Sequence, residues 1–151
     1  MVIFGFIVSL AANVERIDAG QVALAYGLGF SNSFALVAFA VLVVLAIQKR
    51  RRPASHKRLM LFATAMLMNP PVGRLYRPAF APSPPPPWVV FLTIDAILVA
   101  CIVYDLRRTK RVHPVTAASG VALLAFQVIR FHVPQMAWWQ AAYDVLVRLV
   151  M

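Results

Sequence analysis

The sequence predicts an all-α integral membrane protein, a bundle of about four transmembrane helices with a partly embedded N-terminal segment and a C-terminal amphipathic helix. The chain has 151 residues, of which 62% are hydrophobic and only 13% charged, and its mean hydropathy is +0.77. A soluble domain of this length needs more charged side chains to cover its core. The charged residues are also concentrated between long apolar runs. We therefore treat residues 1–151 as a single membrane domain.

Most of the positive charge lies in two short stretches that separate apolar runs. Loops of this composition are typical of the cytoplasmic side of a membrane, so the sequence predicts a bacterial inner-membrane protein with both loops in the cytoplasm. Contact with anionic lipid headgroups contributes about 1 kcal/mol per base. No aromatic residue interrupts residues 49–58, so nucleic acid is not an expected partner. The ten bases are Lys49, Arg50, Arg51, Arg52, Lys57, Arg58, Arg107, Arg108, Lys110 and Arg111.

The first two predicted spans flank the first basic stretch. Residues 30–48 are apolar almost throughout, although crossing about 30 Å of hydrocarbon requires extension towards Gly27. Residues 59–76 form the second predicted span. Asn69-Pro70-Pro71 interrupts it, so the helix either continues past a proline kink or stops early. We predict the kinked span.

The remaining spans flank the second basic stretch. Residues 88–104 begin with an interfacial tryptophan, and residues 115–133 follow Pro114, which suits the first turn of a helix because its missing N–H needs no partner there. Residues 1–29 are predicted to be a partly embedded segment, with a shortened N-terminal helix set as the alternative. Residues 135–151 predict an amphipathic helix that lies along the membrane interface or packs on a partner subunit.

Polar residues within the predicted spans suggest an intramembrane cluster. An ionisable side chain in lipid is costly, so it is either functional or paired. The helical rise places these residues in the outer half of the bundle. They predict either a polar site that handles protons or a small solute, or a structural salt bridge. The cluster comprises Asn69, Arg74, Asp95, Gln127 and Arg130.

Two histidines support a second hypothesis. His56 and His113 precede two predicted spans at the same membrane boundary, where a pair of imidazoles could hold a b-type haem. The simpler interpretation is that they contact loop backbone or lipid phosphate. No group of Cys, His and acidic residues has the spacing of a metal site. The sequence also contains no nucleophile motif, phosphate-binding loop or pair of catalytic carboxylates.

Several segments resemble a group of uncharacterised bacterial integral membrane proteins. The similarity is carried by residues 52–61, which contain His56-Lys57-Arg58-Leu59-Met60, and by residues 69–74, 104–114 and 137–140. It covers about residues 33–141 and implies no reaction, substrate or cofactor. It does make His56, Arg74 and His113 the first residues to test.

These observations predict an accessory or structural inner-membrane protein, a subunit of a larger bioenergetic or transport complex. Its expected partners are anionic lipids and either other membrane subunits or further copies of itself. The alternative is a membrane protein with a b-type haem, or one that handles protons or a small solute at the polar cluster. The absence of a catalytic motif favours the non-enzymatic interpretation.

Overall fold

A computed structural model of the chain describes residues 2–81, 83 and 85–148. Every regular element within these residues is helical, which confirms the predicted all-α class. Residues 149–151 of the predicted C-terminal helix lie outside the described residues. The helices are α1 (Val2–Asp18), α2 (Val22–Gln48), α3 (Pro53–Met66), α4 (Asn69–Phe80), α5 (Pro87–Thr109), α6 (Pro114–His132) and α7 (Ala137–Arg148), with a 3-10 turn at Val133–Gln135 after α6.

Three helical segments in the described chain are long and apolar enough to cross a membrane. They are α2 with 27 residues, α5 with 23 residues, and Pro114–Gln135, in which α6 continues into the 3-10 turn, with 22 residues. At 1.5 Å per residue each exceeds the roughly 30 Å of hydrocarbon in a bilayer. The protein is therefore an all-helical membrane protein with three candidate spans, and the prediction of four spans was wrong.

The error lies in the predicted second span, residues 59–76. This segment is two separate helices, α3 with 14 residues and α4 with 12. Pro70 and Pro71 have no N–H to donate to the carbonyl groups four residues earlier, and a proline ring also clashes with that turn. Helix α3 accordingly ends at Met66, and both prolines occupy the first turn of α4, where they cost little.

The first span begins at Val22, earlier than the predicted residue 30. Two polar residues inside this span are hydrogen-bonded without breaking the helix. The Ser31 hydroxyl donates to the Gly27 carbonyl at 2.8 Å, and the Asn32 amide donates to the Ser9 hydroxyl of α1 at 2.9 Å. Helix α1 is separated from α2 by Gly20, whose φ of 76° suits glycine.

The chain divides into two compact units. We call residues 39–124 the central unit. In it the His56 ring lies against the end of α2, and α3 and α4 run back along α5. Arg58 of α3 pairs with Asp105 near the end of α5, while the Thr93 hydroxyl near its start donates to the Tyr76 hydroxyl of α4 at 3.2 Å. Two short helices thus return the chain along α5.

The terminal unit consists of residues 1–38 and 125–151. Its core forms where α7 packs on α1 and α2: Tyr143, Val147 and Leu10 are buried together. The predicted amphipathic pattern of the C-terminal helix is present, and its apolar side covers helices of its own chain. The Tyr143 ring sits directly on Gly29, and the Asn13 amide donates to the Tyr143 hydroxyl at 2.7 Å.

The contact between Gly29 and Tyr143 predicts a position-specific effect of adding a methyl group. A Cβ at residue 29 would lie 2.4 Å from Cζ of Tyr143, whereas a Cβ at residue 27, on the same helix, would meet nothing within 4 Å. We expect Gly29→Ala to lower the free energy of unfolding by about 1–3 kcal/mol because Tyr143 must move. Gly27→Ala, the matched control, should be neutral or stabilising by about 0.5–1 kcal/mol.

Unfolding in mild detergent, followed by circular dichroism, measures both changes. Equal stability of the two variants would contradict the described packing of α7 on α2.

Candidate functional site

The most deeply buried charged group in the described chain is the carboxylate of Asp105, on α5. The local chain geometry explains what surrounds it. Helix α5 ends at Thr109, and the next residue, Lys110, caps it in a left-handed conformation with φ of 58° and donates its N–H to the Leu106 carbonyl. This turn reverses the chain, so that the start of α6 comes back beside the last turns of α5.

Asp105 accepts hydrogen bonds from three elements. One carboxylate oxygen pairs with the Arg58 guanidinium of α3. The other accepts the backbone N–H of His113 at 2.9 Å and the hydroxyl of Thr116, in the first turn of α6, at 2.8 Å. Asp105 is 1% exposed and Thr116 is fully buried. The carboxylate therefore joins α3, α5 and α6 at one point, which we call the Asp105 joint.

The energetics of the Asp105 joint indicate a structural role. A buried carboxylate costs several kcal/mol of lost hydration, and only good pairing offsets that cost. Here both oxygens have donors, including the charged Arg58. Three of the roughly four lone-pair sites of this carboxylate already accept hydrogen bonds, which makes it poorly suited to act as a general base. The arrangement holds helix ends together.

The Asp105 joint also brings the two basic stretches to one end of the central unit. Arg58 belongs to the first stretch, and Asp105 and His113 flank the second. Arg58 is partly buried, with a side chain 15% exposed. The remaining nine bases of the two stretches are exposed: Lys49, Arg50, Arg51, Arg52, Lys57, Arg107, Arg108, Lys110 and Arg111.

The two candidate haem ligands make different hydrogen bonds. Nδ1 of His56 lies 2.8 Å from the Ala46 carbonyl, so it must carry the proton and leaves the Nε2 lone pair for a ligand. Nδ1 of His113 instead accepts the backbone N–H of Val115 at 3.2 Å and caps α6. The proton of a neutral His113 is then on Nε2, where it blocks coordination. His56 fits the role of an axial ligand, and His113 as it stands does not.

The predicted polar cluster is distributed over three helices. In the central unit, Asn69 is the first residue of α4 and is half-buried, Arg74 is exposed on α4, and Asp95 is half-buried on α5. In the terminal unit, Gln127 and Arg130 lie three residues apart on α6, so they share one face of that helix. The convergence of all five side chains in one site stays a prediction.

The terminal unit contains a second polar network. Asn13 donates to Tyr143, and the Arg16 guanidinium donates to the Asn13 amide oxygen at 2.9 Å. The Tyr26 hydroxyl donates to the Asp144 carboxylate at 2.8 Å. Burial raises the pKa of the Tyr143 phenol above its ordinary value of 10, so the hydroxyl stays protonated. These bonds connect α7 to α1 and α2.

Sequence reasoning missed the Asp105 joint and the contacts of Tyr143. Asp105 directly precedes the second basic stretch and lies just beyond the predicted span of residues 88–104, so no role was predicted for it. One signal was available: it is an isolated acid one turn inside an apolar helix, eleven residues before a threonine in the first turn of the next. Asn13 and Tyr143 are 130 residues apart, and nothing in either local sequence indicates the pairing.

We predict that removing the charge of Asp105 is costly. Asp105→Asn leaves the partly buried Arg58 guanidinium without its counter-ion and changes a fully buried acceptor, and we expect the free energy of unfolding to fall by about 3–5 kcal/mol. Asp18→Asn and Lys57→Gln, at exposed positions, should change it by no more than about 0.5 kcal/mol. The double variant Asp105→Asn/Arg58→Gln should be less destabilised than the sum of its single variants. Additive losses, measured by unfolding in detergent, would contradict the joint.

The proton on Nε2 of His113 predicts that this residue does not bind haem iron. We expect protein extracted from membranes of cells supplied with haem precursor to show no Soret band from a haem held by His56 and His113, since His113 would first have to release the cap of α6. The absorption spectrum measures this directly. A Soret band that His113→Ala abolishes, and that a variant of the exposed His132 retains, would overturn the assignment.

Comparison of the chain with protein-family models, curated proteins and solved structures finds no match. The resemblance of residues 52–61 to bacterial integral membrane proteins therefore stays a prediction from the sequence.

Proposed function

We propose that the chain is an accessory membrane protein that serves as a structural subunit of a larger bioenergetic or transport complex. The observation that carries the proposal is the structural role of the buried carboxylate. Asp105, the only buried acid among the described residues, connects three helices and accepts hydrogen bonds from Arg58, His113 and Thr116. Such a group stabilises a scaffold.

The surface of the membrane-length helices supports the same proposal. Only 22% of the most apolar window of α2 and of α5, and 28% of that of Pro114–Gln135, is buried within the chain. Large apolar side chains are correspondingly exposed, such as Val37 on α2, Val99 on α5 and Val121 on α6, which are 57–69% exposed. Lipid covers part of this surface, and we assign another part to neighbouring subunits.

We further propose that the protein lies in the inner membrane of a bacterium, with both basic stretches in the cytoplasm. Cytoplasmic loops of membrane proteins carry an excess of Lys and Arg. The ion pair between Arg58 and Asp105 supports a common side for the two stretches, since one contact joins the elements that flank them. Nine exposed bases at one end are then available to anionic headgroups.

Site-specific photocrosslinking in intact membranes tests the proposed assembly. A crosslinking amino acid replaces Val37, Val99 or Val121 in turn, and Leu123, which is 2% exposed, serves as the matched buried control on α6. We expect at least one exposed position to give a product larger than the 16.7 kDa chain that contains another subunit or a second copy. The buried position should give crosslinks within the chain only.

Products that contain only lipid at all three exposed positions would contradict the assembly. Labelling of new cysteines at residues 51 and 108 in a Cys101→Ser background tests the orientation separately. If only one of the two sites is reached from the outer face of the membrane, the common side is wrong.

A further inference from the structure

The terminal unit contains a cavity of about 540 Å³ between the start of α2, the end of α6 and α7. Binding sites for small molecules typically occupy about 300–1,000 Å³. The lining contains one cation, Arg130, and the polar side chains of Tyr26, Gln135 and Gln140. Val22 and Phe131 contribute apolar surface. No part of this cavity belongs to the Asp105 joint.

The polar walls of the cavity are held in place by hydrogen bonds. The Tyr26 hydroxyl donates to Asp144, and the Tyr26 carbonyl accepts the indole N–H of Trp139 at 3.3 Å. The Gln140 amide donates to the Pro134 carbonyl at 3.2 Å. A site whose walls are already ordered loses little conformational entropy when a ligand binds. Arg130 supplies its positive charge, and a guanidinium binds phosphate oxygens through paired hydrogen bonds.

The position of the cavity indicates which phosphate could reach it. Val22 and Tyr26 are in the first turns of α2, and Arg130 and Phe131 are in the last turn of α6. The ends of membrane-length helices lie at the level of the lipid headgroups, where tryptophan is also enriched, and Trp138 is 59% exposed here. Val22 and Phe131, which are 38% and 46% exposed, form an apolar edge of the cavity. This edge suits contact with the first carbons of an acyl chain.

We propose that this cavity binds the phosphate of an anionic phospholipid headgroup, with Arg130 as the phosphate-binding residue and the apolar edge in contact with the glycerol and upper acyl chain. Free phosphate carries the same charged group but has no apolar part that could contact the apolar edge. The proposal is independent of the accessory function, because it concerns a site for lipid that any role in the membrane would accommodate.

Native mass spectrometry of the full chain, released from detergent in the presence of phosphatidylglycerol or phosphatidylcholine, tests the site. We expect one phosphatidylglycerol to be retained about tenfold more strongly than phosphatidylcholine. Arg130→Gln should remove that preference. Arg148→Gln, an exposed arginine of the same unit, should keep it.

A second variant keeps the charge and fills the space. Gly27 lines the cavity, and a Cβ there would meet nothing within 4 Å, so Gly27→Leu can occupy the volume without disturbing the core. We expect it to lose lipid retention while its unfolding midpoint stays at or above that of the parent chain. Gly73→Leu, at an equally open position on α4, should retain the lipid.

Three results would overturn the proposal. The first is equal retention of the two lipids by the parent chain. The second is unchanged retention in both Arg130→Gln and Gly27→Leu. The third is displacement of the bound lipid by millimolar inorganic phosphate, which would assign the cavity to soluble phosphate.

Discussion

The fold of the central unit depends on the cost of burying one carboxylate. Asp105 is 1% exposed and loses most of its hydration on folding, and its three donors offset that cost. These donors come from α3, from the turn that precedes α6 and from the first turn of α6. The hydrogen bonds that this one carboxylate requires therefore fix the relative positions of three helices. Apolar contacts alone, with lipid or between helices, would allow the helices to slide along one another.

The Asp105 joint also explains how one end of this unit tolerates so much positive charge. Ten bases lie within two short stretches, and like charges brought together repel one another. Arg58 is the one base of the ten that the structure withdraws from solvent, and it is the one that Asp105 neutralises. The other nine remain exposed, where water and salt screen them.

Hydropathy predicted the helical class, and three of its four predicted spans correspond to membrane-length helices. The free energy of burying a helix in lipid is a sum over many residues, so one or two polar positions do not obscure it. Hydropathy failed at residues 59–76, where composition is apolar enough but Pro70 and Pro71 remove two backbone donors. It also placed the start of α2 at residue 30 rather than Val22, although the length needed to cross a bilayer already required extension towards Gly27. The candidate site was missed for a different reason. The structural role of Asp105 depends on hydrogen-bond partners 47 and 11 residues away in the sequence, and no local sequence pattern indicates them.

Apolar side chains do not select helix partners inside a bilayer, because lipid is as good a neighbour as another helix. Specific association must come from polar bonds and from close contacts at small residues. The chain uses both in each unit: Asp105 with Gly120 against Leu98 in one, and Asn13–Tyr143 with Gly29 against Tyr143 in the other. A shift of α3 by one turn along α5 would move Arg58 about 5.4 Å from its carboxylate. These polar bonds and close contacts therefore select one register of the helices within each unit.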